Sequence, residues 1–147
     1  MIKMFRGCYE YLSNFHDCDI QFKGLTFKNS ESLFQSLKCI NKSDKELFCN
    51  LKGYEAKSLG RKIKLRPDWE RIKIAAMYVA IREKFNQNED LKLLLLSTRD
   101  EYIQEGNCWG DTFWGTVNGR GKNYLGKLLM KLRSEYLEEI NNNENNI

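Results

Sequence analysis

The sequence predicts an α+β fold, a predominantly helical single domain with a small antiparallel β element. Three observations carry this expectation. Apolar residues recur at helical spacing in stretches that begin near Asn29, Asp68 and Lys122, while Ile20, Phe22, Leu25 and Phe27 nearly alternate around Lys23-Gly24. A chain of 147 residues, 41% hydrophobic and 12% aromatic, is also long enough to bury one core without a staple.

Taken in order, residues 2–6 read as a short strand, and residues 7–19 as an irregular segment in which Ser13 and Asn14 stand between Leu12 and Phe15. Lys23-Gly24 then suits a hairpin turn. Asn29 or Ser30 offers a side-chain oxygen to cap a helix whose apolar face is Leu33, Phe34, Leu37 and Ile40. Residues 44–52 read as a short helix closed by Gly53, and residues 55–62 as another. Pro67 fits the first turn of a helix over 68–87, because its missing N–H would have no partner there. This helix presents Trp69, Ile72, Ala76, Val79 and Ala80, extended by Met77, Ile81 and Phe85, so it is expected to be the central packing element. Residues 89–97 form a buried short helix and 101–104 a strand. Residues 122–140 close the fold as an amphipathic helix, with Leu125, Leu128, Leu129, Leu132, Tyr136 and Ile140 inside. The domain is expected to span 1–140; the asparagine-rich tail, 141–147, is too polar to pack and is expected to be disordered.

Composition narrows the chemistry. No apolar run approaches the roughly 20 residues of a membrane span, and residues 1–6 lack a signal peptide's apolar stretch, so a cytoplasmic protein is expected. Five cysteines, Cys8, Cys18, Cys39, Cys49 and Cys108, are odd in number and form no Cys-x-x-Cys pair, which favours buried reduced thiols over disulfides or zinc. His16 is the only histidine, so any Ser-His or Cys-His nucleophile would rely on it alone, and catalysis is expected to run on carboxylates, lysines and amides. The net charge is +4, yet residues 52–73 alone hold eight basic against three acidic residues. That excess suits a phosphate-bearing ligand or nucleic-acid backbone, and equally a solvated face of two helices.

Two stretches stand out. At about 100° per residue, Glu31, Gln35 and Lys38 fall within an arc of roughly 60°, with Phe34 beside them. A carboxylate, an amide and an amine thus share one helix edge, which is either a solvated edge opposite the core or a site. Residues 106–126 hold six of the ten glycines together with Trp109 and Trp114. Such a stretch is either a loop pinned by aromatics or a backbone that approaches a ligand closely. Asn123 falls in the first turn of the last helix, where free amides favour an anion.

The order Leu12-Ser13-Asn14-Phe15, Ser30-Glu31-x-x-Phe34-Gln35-x-x-Lys38, Asp111-x-x-Trp114-Gly115 and Gly121-x-Asn123-x-Leu125-Gly126 resembles the NADAR family, also called YbiA-like. The resemblance runs from about Phe5 to Arg133. It implies cleavage of N-glycosidic bonds, either in early riboflavin-pathway intermediates bearing a ribose phosphate or in ADP-ribosylated guanine, with a Schiff-base lysine in the second branch. Carried over residue by residue, it implies Glu31, Lys38 and Asp111 as the catalytic group and Asn14, Gln35, Trp114 and Asn123 as substrate contacts. Arg6 and Lys122 are assigned to phosphate. Trp69 also matches a family position and is read as core.

The chemistry suits these residue types. Positive charge develops at the anomeric carbon as the base departs, so a carboxylate can stabilise it, position hydroxyls or move a proton. An unprotonated lysine can instead attack that carbon and form an imine. No metal or cofactor is required. The expected partner is a small-molecule ribosyl or ADP-ribosyl substrate, or nucleic acid carrying ADP-ribose. Three classes remain: an N-glycosidase on a ribosyl metabolite, an ADP-ribosyl glycohydrolase on nucleic acid, and a non-catalytic NAD or ADP-ribose-binding module.

Overall fold

The computed structural model describes residues 1–146. The elements run in the order β1 (Ile20–Phe22), β2 (Leu25–Phe27), α1 (Ser30–Ser36), α2 (Lys42–Glu46), α3 (Gly53–Gly60), α4 (Trp69–Gln87), α5 (Glu89–Ser97) and α6 (Tyr124–Asn145), with a 3-10 helix over Gly7–Leu12 ahead of them. The fold class is therefore the expected α+β, mostly helical with one two-stranded antiparallel sheet. The chain forms two compact units, one of Ser13–Glu89 and one that joins Met1–Leu12 to the chain from Asp90 onward.

In the Ser13–Glu89 unit, β1 and β2 pair with Ile20 opposite Phe27 and Phe22 opposite Leu25. Lys23 and Gly24 both take positive φ, 49° and 82°, which matches the twist a two-residue hairpin needs. Ile20 and Phe27 point inward and are buried. Helix α1 packs against α3, α4 and the hairpin. Helix α4 buries Trp69, Ala76, Met77, Ala80, Ile81 and Phe85, while Ile72 and Val79 are only half-buried.

In the other unit, Ile2 and Ile103 form one parallel bridge, with Ile2 N donating to Tyr102 O (2.8 Å) and Gln104 N to Ile2 O (2.9 Å). The strands expected at 2–6 and 101–104 reduce to that pair, since so few ladder bonds do not extend a sheet. Tyr11 OH donates to Leu94 O (2.9 Å), which ties the 3-10 helix to α5. Arg133, buried on α6, donates to Thr98 Oγ1 and Glu101 O (2.8 and 2.9 Å).

Several boundaries differ from expectation for local reasons. Helix α1 ends at Ser36, so Ile40 lies beyond it and is 67% exposed instead of packing inward. Gly53 opens α3 and closes no helix; a Cβ there would sit 2.5 Å from the Phe15 ring, so close approach selects glycine. The helix expected over 44–52 shortens to α2, which buries no residue. Pro67 precedes the N-cap Asp68 of α4. Of the α5 leucines, Leu91 and Leu95 are buried whereas Leu93 and Leu94 are exposed. Helix α6 runs on through exposed residues to Asn145, into the segment expected as a tail, and residue 147 of that segment lies outside the described residues. All five cysteines are free, but only Cys39 is buried. Among the described residues no helix is long and apolar enough to cross a membrane.

Candidate active site

Helix α1 is seven residues long and every one of them is buried. A short helix of Ser, Glu and Gln survives there because its polar groups find partners. Asn29 caps it, accepting from Ser32 N at 2.8 Å, and Asn29 Nδ2 and Ser32 Oγ both donate to Leu51 O (3.0 Å each). At the start of the helix Glu31 N donates to Asn14 O (3.0 Å) and Ser30 Oγ to Asn14 Oδ1 (2.8 Å). Asn14, itself buried, donates from Nδ2 to Met77 Sδ (3.2 Å).

Glu31 and Gln35 therefore do not form a solvated edge. They are 7% and 5% exposed, and Gln35 Nε2 donates to Glu31 Oε1 at 2.9 Å, the i, i+4 pairing expected on one helix face. Gln35 Oε1 is buried without a hydrogen-bond partner among the described residues. It lies against Gly60, where an added Cβ would come within 1.9 Å of it.

Lys38 lies past the end of α1, in a turn where its N–H donates to Gln35 O (3.1 Å), so the predicted three-residue helical arc holds for two residues. Its amine nevertheless stays sheltered. Nζ donates to Gly60 O (3.3 Å) and sits 5.8 Å from the Trp69 ring centre. Trp69 in turn packs on Phe34, with ring centres 5.3 Å apart. Burial pushes the Lys38 amine below the usual lysine range, Glu31 pulls it back up, and Arg61 lowers it further. Trp69, read from sequence as core, is thus also the aromatic over the amine.

The other unit holds the remaining candidates. Asp111 Oδ1 accepts from Phe113 N (3.1 Å) and Trp114 N (2.9 Å), closing a turn at the head of the Gly-rich stretch. Asn107, which the sequence did not single out, clasps the same turn: its Nδ2 donates to Asp111 O (2.8 Å) and its Oδ1 accepts from Asp111 N (3.0 Å). Trp114 is half-buried, edge-on to Phe113 at 4.7 Å.

Asn123 is the N-cap of α6 in the left-handed region, φ 52°, and its side chain braces the backbone: Oδ1 accepts from Glu105 N (2.9 Å) and Nδ2 donates to Ile103 O (2.9 Å). The free amides expected at that helix start are taken. Tyr124 N donates to Phe113 O and Leu125 N to Trp114 O, at 3.2 and 2.9 Å. Lys122 is exposed, its Nζ 5.7 Å from the Phe113 ring centre, and Arg6 is exposed as well. Among the described residues no three His, Cys, Asp or Glu side chains gather as a metal-holding group. A shallow groove of about 380 Å³ beside α3, lined by Leu51, Tyr54 and Lys62 among others, includes none of the candidate residues.

A family model described as NADAR domain matches residues 4–137. The chain belongs to the NADAR family. Over 131 residues it is 37% identical to the N-glycosidase YbiA of Shigella sonnei, a match covering 86% of this chain and 81% of that protein. Over 76 residues it is 50% identical to the chloroplastic riboflavin biosynthesis protein PYRR of Arabidopsis thaliana, covering 51% of this chain and 12% of that one. The NMR structure of Escherichia coli YbiA superimposes with a TM-score of 0.81 at 34% identity, over 95% of this chain and 88% of that one.

Proposed function

We propose that this NADAR chain is an N-glycosidase, a hydrolase of N-glycosyl bonds, acting in the cytoplasm on a ribosyl-phosphate substrate of early riboflavin biosynthesis. The names of its Shigella and Arabidopsis relatives support the class. One observation carries it to particular residues: Glu31 is shut away from water within electrostatic reach of a lysine whose amine is held below its ordinary range.

In this reading Glu31 binds the ribose hydroxyls and relays protons, and Lys38 acts as the nucleophile. The Lys38 amine forms a bond to the anomeric carbon as the carbon–nitrogen bond to the base breaks. The base leaves with that electron pair and takes up a proton. Opening of the sugar ring and loss of a proton from nitrogen give an imine, and water adds to its carbon, releasing the sugar phosphate and restoring the amine. Gln35, whose Nε2 holds the Glu31 carboxylate, and Asn14 are the amides assigned to substrate binding. The resemblance adds Asp111 to the catalytic group, Trp114 and Asn123 to substrate binding, and Arg6 and Lys122 to phosphate. An Asp111→Asn variant that turns over at the wild-type rate removes Asp111 from the mechanism.

The test is incubation of the protein with riboflavin-pathway ribosyl phosphates, ADP-ribosylated guanine in an oligonucleotide, and NAD, followed by mass spectrometry of the released base. Borohydride added during turnover is expected to trap a sugar adduct on Lys38 that Lys38→Ala abolishes. Full activity in Lys38→Ala without an adduct would replace the imine route with attack by carboxylate-activated water. Binding without base release from any of them would make the chain a binding module. A second reading, removal of ADP-ribose from nucleic acid, draws on the exposed run Arg61, Lys62 and Lys64. It requires DNA binding that weakens steeply with salt.

A further inference from the structure

Lys84 is fully buried, at 0% exposure, in the last turn of α4 among the helix's buried apolar residues. It follows Met77, Ala80 and Ile81 at i+7, i+4 and i+3, positions that share a helix face. A charged amine is retained at such a depth only where it is compensated. Here Nζ donates to the carbonyl of Ser13 at 2.8 Å and lies 5.2 Å from the Phe85 ring centre.

The Ser13 carbonyl also accepts from His16 N (3.2 Å), so two donors converge on it and fix the turn that Ser13 begins. The next residue is Asn14. Its side chain is held by Met77 on the same face of α4, and its backbone and side-chain oxygens receive Glu31 N and Ser30 Oγ. Two residues of one helix stripe, Met77 and Lys84, therefore clamp a dipeptide that is itself the dock for the first turn of α1. The path from Lys84 to the Glu31 backbone runs through two hydrogen bonds and one peptide unit.

We propose that Lys84 is a positioning residue for the reaction: through the Ser13 carbonyl it sets the Ser13-Asn14 turn, and through that turn the place of the Glu31 carboxylate. The inference rests on the reading of Glu31 as a catalytic residue, but the clamp itself is a property of the fold. In this role Lys84 acts through the Ser13 carbonyl that accepts from its amine, not as the nucleophile.

The test uses the full chain with Lys84→Met, which keeps the volume and removes the donor, and with Lys84→Arg, which restores a charged donor. Lys84→Gln, a neutral donor one atom shorter, takes the place of Lys84→Met if that variant does not fold. In the folded variant lacking the amine, kcat is expected to fall at least tenfold with KM within about threefold. Amide hydrogen exchange at Glu31 N–H should quicken at least tenfold while Leu33 and Phe34 stay protected, and Lys84→Arg should recover part of kcat. An unchanged kcat, a change in KM alone, or a lower kcat with Glu31 protection intact each overturns the proposal. So does a borohydride adduct mapped to Lys84. If the wild-type protein cleaves no N-glycosidic bond, the functional reading fails by itself, and exchange at Glu31 still decides whether Lys84 holds the turn.

Discussion

The Lys38 amine shows how one residue's chemistry is set by its neighbours. Protonated, it must be carried in a half-buried turn beside Trp69, and that desolvation lowers its pKa from the ordinary 10.5. Arg61 lowers it further, so the exposed Arg61 guanidinium tunes a group it does not touch. Because the imine route needs the neutral amine, activity is expected to rise with pH through the Lys38 pKa, at a value below 10.5. Arg61→Gln removes a repelling cation, raises that pKa and moves the rising limb of the kcat/KM profile to higher pH. A limb that stays in place, or moves to lower pH, contradicts the assignment. The linkage has the same sign in stability: the unfolded chain holds this proton more tightly, so the cost of burying Lys38 shrinks as pH rises through its folded pKa.

At the scale of elements, α1 is too short to be stable alone, and its place depends on α3 and α4 packed around it. One of these contacts is made by Gly60 at the end of α3, whose carbonyl accepts from Lys38 and whose Cα faces the buried amide of Gln35. Gly60→Ala would drive a methyl to 1.9 Å from Gln35 Oε1, a collision the buried side chain cannot avoid by moving into solvent. Overpacking of this kind costs about 1–3 kcal/mol. Thermal melts should therefore show a loss of several degrees for Gly60→Ala, and Gly60→Ala combined with Gln35→Ala should recover part of it. A fully additive double variant would mean that the two residues do not meet. The predicted helix edge was legible for Glu31 and Gln35 because i, i+4 spacing is a property of any helix. The end of α1 at Ser36 was not, since it depends on the turn that carries Lys38 back toward Gly60.

At the scale of the whole chain, Met1–Leu12 and the chain from Asp90 onward contribute to one unit, and the Tyr11 hydroxyl is one of its fasteners. Burial, with Tyr9 and Cys8 adding to it, pushes that phenol up to about 12 against the opposing pull of Arg133. A raised acid pKa means that the unfolded chain ionises first. Its stability contribution is then complete below pH 10 and is lost as pH climbs toward 12. Denaturant titrations should show Tyr11→Phe less stable by about 1 kcal/mol at neutral pH. The variant should also decline less steeply than wild type between pH 10 and 12, and parallel declines would place the alkaline sensitivity elsewhere. We further propose that the folded domain ends near Ile140, since residues 141–145 are exposed although helical. Deletion of residues 141–147 should leave the melting temperature within about 1 °C.

What could be read in the residues was whatever depends on near neighbours along the chain. The hairpin is one case, because Lys23-Gly24 between alternating apolar residues dictates its own turn. The long helix over 69–87 is another, and so is the ordered set of motifs that marks the NADAR family. Lys84 was there to be noticed as well, a charge at i+7 from Met77 inside an apolar stripe, but a carbonyl that accepts from it lies 71 positions earlier. Tertiary structure alone decided which polar residues are dry. It buried Glu31 while spending Asn123 on the backbone, and it filled the first amides of α6 with loop carbonyls. Desolvation is set by everything that packs around a group, and most of that comes from distant parts of the chain.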